Sequence, residues 1–127
     1  MKIIKITVAS IVAIVLVAGI FLFKGELAPK EVDAKYTSDT SQFFTMRNGA
    51  RIHFRDEGNP NGPAVVLVHG SNASLHTWEP WVEILGESYR IITMDLPAHG
   101  LTGAVPDKRY GSPAQLRTVD AVVRHLG

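Results

Sequence analysis

The chain has 127 residues, 46% of them hydrophobic, a formal net charge of +1 and no cysteine. That length suits one small domain or part of a larger one, and the charge balance gives no electrostatic reason to expect nucleic acid. The lack of cysteine excludes a disulfide framework, a thiolate metal site and a cysteine nucleophile.

Residues 1–24 differ from the rest. From Ile6 to Phe23 the sequence ITVASIVAIVLVAGIFLF carries no charge, between Lys2 and Lys5 on one side and Lys24 on the other. Eighteen residues rising about 1.5 Å each span about 27 Å, close to a hydrocarbon core of about 30 Å. The segment is therefore expected to place the chain in a lipid bilayer through Ile6 to Phe23. The two leading lysines favour a cytoplasmic N-terminus, with everything after the span on the extracytoplasmic side. A cleaved signal sequence, giving a secreted protein, is the alternative; its apolar region is usually shorter, and no small-x-small site follows Phe23. Residues 25–42 are polar, mixed in charge and poor in large apolar side chains, and read as a linker without structure.

From residue 43 the periodicity changes. Phe43 to Met46 is a short strand, and Asn48-Gly49 signals a hairpin turn. Arg51 to Arg55 then alternates, with Ile52 and Phe54 on one face and basic residues on the other. Residues 57–63 (EGNPNGP) are turn chemistry. Ala64 to Val68 is a continuous apolar run, the pattern of a strand covered on both faces. Trp78, Trp81, Val82 and Leu85 share a helical face, with Thr77 as N-cap, Pro80 in the first turn and Gly86 at the end. Arg90 to Met94 is a second buried strand, finishing at Asp95. After a loop rich in glycine and proline, Ser112-Pro113 opens a helix whose apolar face is Leu116, Val119, Val123 and Leu126. Strand-helix-strand units of this kind imply a parallel sheet flanked by helices, and the class is α/β.

In open α/β sheets, function gathers in loops at the carboxyl ends of strands. Two such ends occur, His69-Gly70-Ser71-Asn72 and Asp95-Leu96-Pro97-Ala98-His99-Gly100. Acyl transfer needs backbone N–H groups aimed at a developing oxyanion. A glycine leaving the strand permits a sharp turn and close approach of a substrate, freeing the Ser71 N–H to point into a cleft.

VVLVHG, the following SNASLHTW and then MDLPAHG together resemble the α/β-hydrolase fold family, and the hairpin FTMRNGARIHFRDEG resembles that family's first two strands. The resemblance covers residues 43–127, an incomplete N-terminal part of such a domain. It implies one oxyanion-hole donor at the residue after His-Gly, the N–H of Ser71, and a small-molecule substrate with an ester or related bond. The family's DLPGHG has glycine where this chain has Ala98, a change expected to alter loop flexibility and little else. The lack of proline shortly after His-Gly disfavours an epoxide hydrolase, and the lack of asparagine directly after it disfavours a dehalogenase.

The family's nucleophile sits in a G-x-S-x-G-like elbow on the strand after the last helix seen here, followed by the acid and then the histidine. No such motif is present. Gly86-Glu87-Ser88 lies at a helix-to-strand junction and lacks the closing glycine, so Ser88 is a decoy. No residue of this chain is expected to be a catalytic nucleophile, acid or base. His69 is expected to orient its loop, Asp95 to brace the next, and His99 and Gly100 to shape it; Asn72 adds at most a polar contact. No compact ligand spacing such as H-E-x-x-H suggests metal, and no cofactor is implied. The sequence thus reads as the N-terminal part of a membrane-anchored α/β-fold hydrolase. The competing reading is a non-catalytic, membrane-tethered binding module or inactive fragment.

Overall fold

The computed structural model describes residues 2–22 and 27–127, with the side chains of residues 2–9 and 21 outside the description. The chain divides into two compact units, residues 1–31 and 32–127. The first is dominated by helix α1 (Lys2–Leu22), which has neither acidic residues in its first turn nor basic ones in its last. Its apolar residues stand exposed, Ile11, Ile14, Leu16 and Ile20 among them. The expected span runs to Phe23, which lies outside the described residues, as do the side chains of its first four positions. Among the described residues, no helix is long and apolar enough to cross a membrane.

The expected linker is partly helical. Helix α2 (Pro29–Tyr36) opens on proline, carries Glu31 in its first turn and Lys35 in its last, and so complements its own dipole. Asp33 on α2 pairs with Arg51 at 3.0 Å. A short polar segment thus takes structure from a partner 18 residues away, which its composition does not reveal.

The second unit is built on a four-stranded sheet. Its strands are β1 (Ser41–Thr45), β2 (Arg51–Gly58), β3 (Ala64–Val68) and β4 (Arg90–Met94), in spatial order β1-β2-β4-β3. β1 and β2 form the antiparallel hairpin, closed through the turn at Asn48-Gly49, where Gly49 takes φ +80°. β2 runs antiparallel to β4, and β3 runs parallel to β4. β1 starts two residues before the expected position, and β2 extends through Glu57 and Gly58 because both pair with β4.

Ile52 and Phe54 of β2 join Ile92 and Met94 of β4 in the core, packed against Val122 of helix α4 (Ser112–Leu126). The opposite face of β2 is not solvated: His53 is 0% exposed and Arg55 4%. β3 lies at the sheet edge, and it departs from expectation in its cover: its central valines and Leu67 are only half-buried rather than covered on both faces.

The helices also differ from their predicted faces. Leu75–Trp78 forms a 3₁₀ turn, and helix α3 (Glu79–Leu85) starts after it, with Trp78 rather than Thr77 at the cap and Pro80 in its first turn. Trp81 is exposed. In α4 the buried positions are Ala114, Thr118 and Val122, while Leu116 and Val123 face outward. Small side chains let α4 approach the sheet closely; of the expected face, Val119 and Leu126 pack against the core while Leu116 and Val123 are left on the outer flank.

Candidate active site

β3 and β4 end side by side, Val68 opposite Met94, so their two exit loops are neighbours. The sheet's parallel register brings together two sequence segments separated by a whole helix.

His69 is 4% exposed, and its tautomer is fixed by its partners. Leu96 N–H donates to His69 Nε2 at 3.1 Å, so Nδ1 carries the proton and donates to the Gly70 carbonyl at 2.8 Å. The ring therefore clamps the exit of β3 to the exit of β4, an orienting role. His99 packs against it with ring centroids 4.9 Å apart and donates from Nδ1 to the Pro97 carbonyl.

Gly70 does not make the turn. It lacks a positive φ, whereas Asn72 has φ 56° and carries the left-handed position instead. A Cβ at Gly70 would meet nothing within 4 Å, so the glycine leaves open space rather than relieving a clash. Ser71 is exposed, and among the described residues none accepts a hydrogen bond from its N–H.

Asp95 is the centre of the second loop. Its Oδ1 accepts from Leu75 N–H at 2.8 Å, and its Oδ2 accepts from Leu101 N–H at 2.8 Å and His53 Nδ1 at 2.8 Å. Its carbonyl accepts from the Thr102 hydroxyl, whose oxygen in turn accepts from His53 N–H. Burial alone would raise the Asp95 carboxyl. The bonds from His53, Leu75 and Leu101 outweigh it and hold the carboxyl below the usual carboxylate range. Through Leu75 this carboxylate fixes the segment that follows Ser71 and Asn72.

Gly100 is dictated by the same group. It has φ +45°, and a Cβ there would overlap the Asp95 carboxylate. Ala98 holds φ 69° with its N–H bonded to Gly103 O at 2.7 Å. The alanine therefore sits in a left-handed conformation that favours glycine, and strain is its consequence rather than altered flexibility.

Sequence reasoning missed His53 and Ser41. His53 Nε2 lies 2.9 Å from Ser41 Oγ while Nδ1 meets Asp95. Serine, histidine and aspartate thus stand in relay order, but His53 is fully buried, Asp95 is spent on two backbone N–H groups, and Ser41 Oγ already accepts from Ser38 N–H. The trio ties β1, β2 and both loops together. Its only trace in the sequence is a histidine between two core residues, and its partner lies 42 positions further on.

Beside the loops, Val32, Tyr36, Ser74, His76, Gly100 and Leu101 line a cleft of about 200 Å³. Ser88, at the junction between α3 and β4, donates its N–H to Leu85 O and lies in a turn, not an elbow. Among the described residues, no group of three or more histidine, aspartate or glutamate side chains is placed to hold a metal ion.

A mixed sheet with flanking helices and two loops braced at its strand ends defines a class. Residues 63–127 match the family model of the alpha/beta hydrolase fold, just over half of the chain, and the chain belongs to that family. The magnesium-chelatase 30 kDa subunit of Rhodobacter capsulatus is 32% identical over 71 residues, 56% of this chain and 25% of that protein. Among solved structures, the esterase RhEst1 from Rhodococcus sp. is 31% identical with TM-score 0.59, over 68% of this chain and 32% of that one. A membrane phospholipase A, a bacterial virulence factor, is 20% identical with TM-score 0.62, over 100% of this chain and 41% of that one, a likeness of fold alone. The chain thus spans a quarter of that curated relative's length.

Proposed function

We propose that the chain is the N-terminal part of a membrane-anchored α/β-fold hydrolase cleaving an ester or related bond, its domain on the extracytoplasmic side. In this reading the Ser71 N–H donates to the oxyanion that forms as the substrate carbonyl is attacked. The nucleophile, its acid and its histidine come from polypeptide following the segment described, and the residue after that nucleophile supplies the second donor. Water then releases the acyl group. The observation carrying this reading is the N–H of the exposed residue Ser71, without an acceptor among the described residues, beside a histidine locked in one tautomer.

The anchor is supported by the described apolar side chains of α1 between Ile11 and Leu22, which stand exposed. The substrate is a small molecule whose reacting group reaches the strand ends, with no metal or cofactor assigned to the reaction.

The chain alone holds an oxyanion donor without a nucleophile. Incubated with p-nitrophenyl acetate it should show no burst, and a fluorophosphonate should label none of its serines. A burst, or phosphonylation at Ser41, Ser71 or Ser88, would place the nucleophile inside this chain and overturn the assignment.

A further inference from the structure

Asn48 and Asn61 are each followed by glycine. In an Asn–Gly step the glycine nitrogen has no side chain beside it, and it can reach the carbonyl carbon of the asparagine side chain. By sequence the two steps are alike; in the structure they are not.

Asn48 is held at both atoms of its amide. Its Oδ1 accepts from Ala50 N–H at 3.2 Å, and its Nδ2 donates to Asp107 Oδ2 at 3.0 Å. Asn61 is exposed, and among the described residues its side-chain amide has no hydrogen-bond partner. The attacking nitrogens are matched, since Gly49 N–H donates to Met46 O at 2.9 Å and Gly62 N–H to Asn59 O at 3.0 Å. The difference therefore lies in the group attacked. Of the remaining asparagines, Asn59 is followed by Pro60, which offers no N–H, and Asn72 by the side chain of Ala73.

The fold also keeps the reactive step in place. A Cβ at Gly62 would meet the Ser88 carbonyl oxygen at 2.5 Å and Tyr89 Cα at 3.0 Å, so a side chain there would displace backbone. The turn is pinned on both sides to the start of β4. Asn59 N–H donates to Tyr89 O at 3.0 Å, and Arg90 N–H donates to Pro63 O at 3.1 Å.

We propose that Asn61 is a site of spontaneous covalent modification in the folded chain, and that its isoaspartyl product unpins the start of β3. The Gly62 nitrogen loses its proton to hydroxide and bonds to Asn61 Cγ. The Cγ–Nδ2 bond breaks, and the amide nitrogen takes a proton from water and leaves as ammonia. Water then opens the cyclic imide at one of its two carbonyls. Opening at Cγ leaves an aspartate in an unaltered backbone. Opening at the main-chain carbonyl leaves isoaspartate, whose backbone runs through the side chain and is longer by one C–C bond, about 1.5 Å. That length falls between the two pins, in a turn already packed against Ser88.

The test uses the full chain in detergent micelles, kept in mildly alkaline buffer, sampled over time and digested with trypsin. Cleavage after arginine separates residues 48–51 from residues 56–90, and fragmentation of the second peptide assigns the position. Conversion of amide to acid should accumulate at Asn61 roughly ten-fold or more faster than at Asn48, because two hydrogen bonds must open before Asn48 reacts. In urea the two positions should convert at similar rates. Asp107→Ala removes one of those bonds and should speed conversion at Asn48 while leaving Asn61 unchanged. The isoaspartyl form, separated by chromatography, should show faster amide exchange at Arg90 than the parent. Equal rates at the two positions in the folded chain, or an Asp107→Ala chain in which Asn48 stays as slow as before, would overturn the site assignment. Parental exchange at Arg90 in the isoaspartyl form would overturn the consequence for β3.

Discussion

Asp95 concentrates the energetics of both loops in one side chain, because three donors from three segments converge on its two oxygens. Replacing it with Asn removes the charge and one acceptor, at a cost on the order of 3 kcal/mol, the scale of a hydrogen bond to a charged group. The acid dependence follows from the lowered carboxyl. The folded state holds its proton less tightly than the unfolded chain, so the stabilisation is complete above the ordinary carboxylate pKa of about 3.9. It is lost as pH falls through the lower folded value. Urea midpoints measured from neutral pH downward should therefore fall steeply for the parent chain and more gently for Asp95→Asn. At Ala98 the sign reverses. Relief of the φ 69° strain should make Ala98→Gly more stable by about 1 kcal/mol, whereas Gly100→Ala should destabilise the chain by driving a methyl into Asp95. The same denaturant titrations, in detergent micelles, read both.

At the scale of elements, the sequence was most legible where local pattern and tertiary cover agree. The hairpin turn at Asn48-Gly49, β4 and both ends of α4 follow from turn chemistry, apolar runs and capping, and the structure has them there. The faces of the helices were legible only in part: of the expected α4 face, Val119 and Leu126 do pack against the core. Leu116 and Val123 satisfy the helical period, yet Ala114, Thr118 and Val122 are buried, because close approach to the sheet selects small side chains that carry little hydrophobic signal. Val122→Ala should accordingly cost about 2 kcal/mol, while Leu116→Ala should stay within about 0.5 kcal/mol. Equal losses at the two sites would show that the outward face of α4 is covered in solution. β3 presents a related case: its apolarity was plain and the family resemblance implied an edge without a neighbour, which the strand order has, but the cover of both its faces expected from the apolar run is incomplete. The braces among Ser41, His53, Asp95 and Thr102 were illegible for a different reason, since hydrogen bonds spanning dozens of residues leave no local pattern.

For the molecule as a whole, the loop pair joins a stability argument to a chemical one. His69 and Asp95, both buried, hold the exits of β3 and β4 in register, and in the loop between them the Ser71 N–H has no acceptor among the described residues. Holding a donor in place before reaction is what makes it effective, since no reorganisation is then needed as charge develops. If that amide is an oxyanion donor, the serine side chain is incidental and the N–H is essential. The most direct measurement is turnover by a longer polypeptide carrying the proposed elbow, comparing Ser71→Ala with Ser71→Pro, each checked for folding by its melting temperature. Ser71→Ala should keep kcat near that of the parent, and Ser71→Pro, which removes the N–H and also fixes φ near about −65°, should lower it by about 10²–10³ with KM little changed. A Ser71→Pro enzyme that folds and turns over at the parental rate would contradict the account.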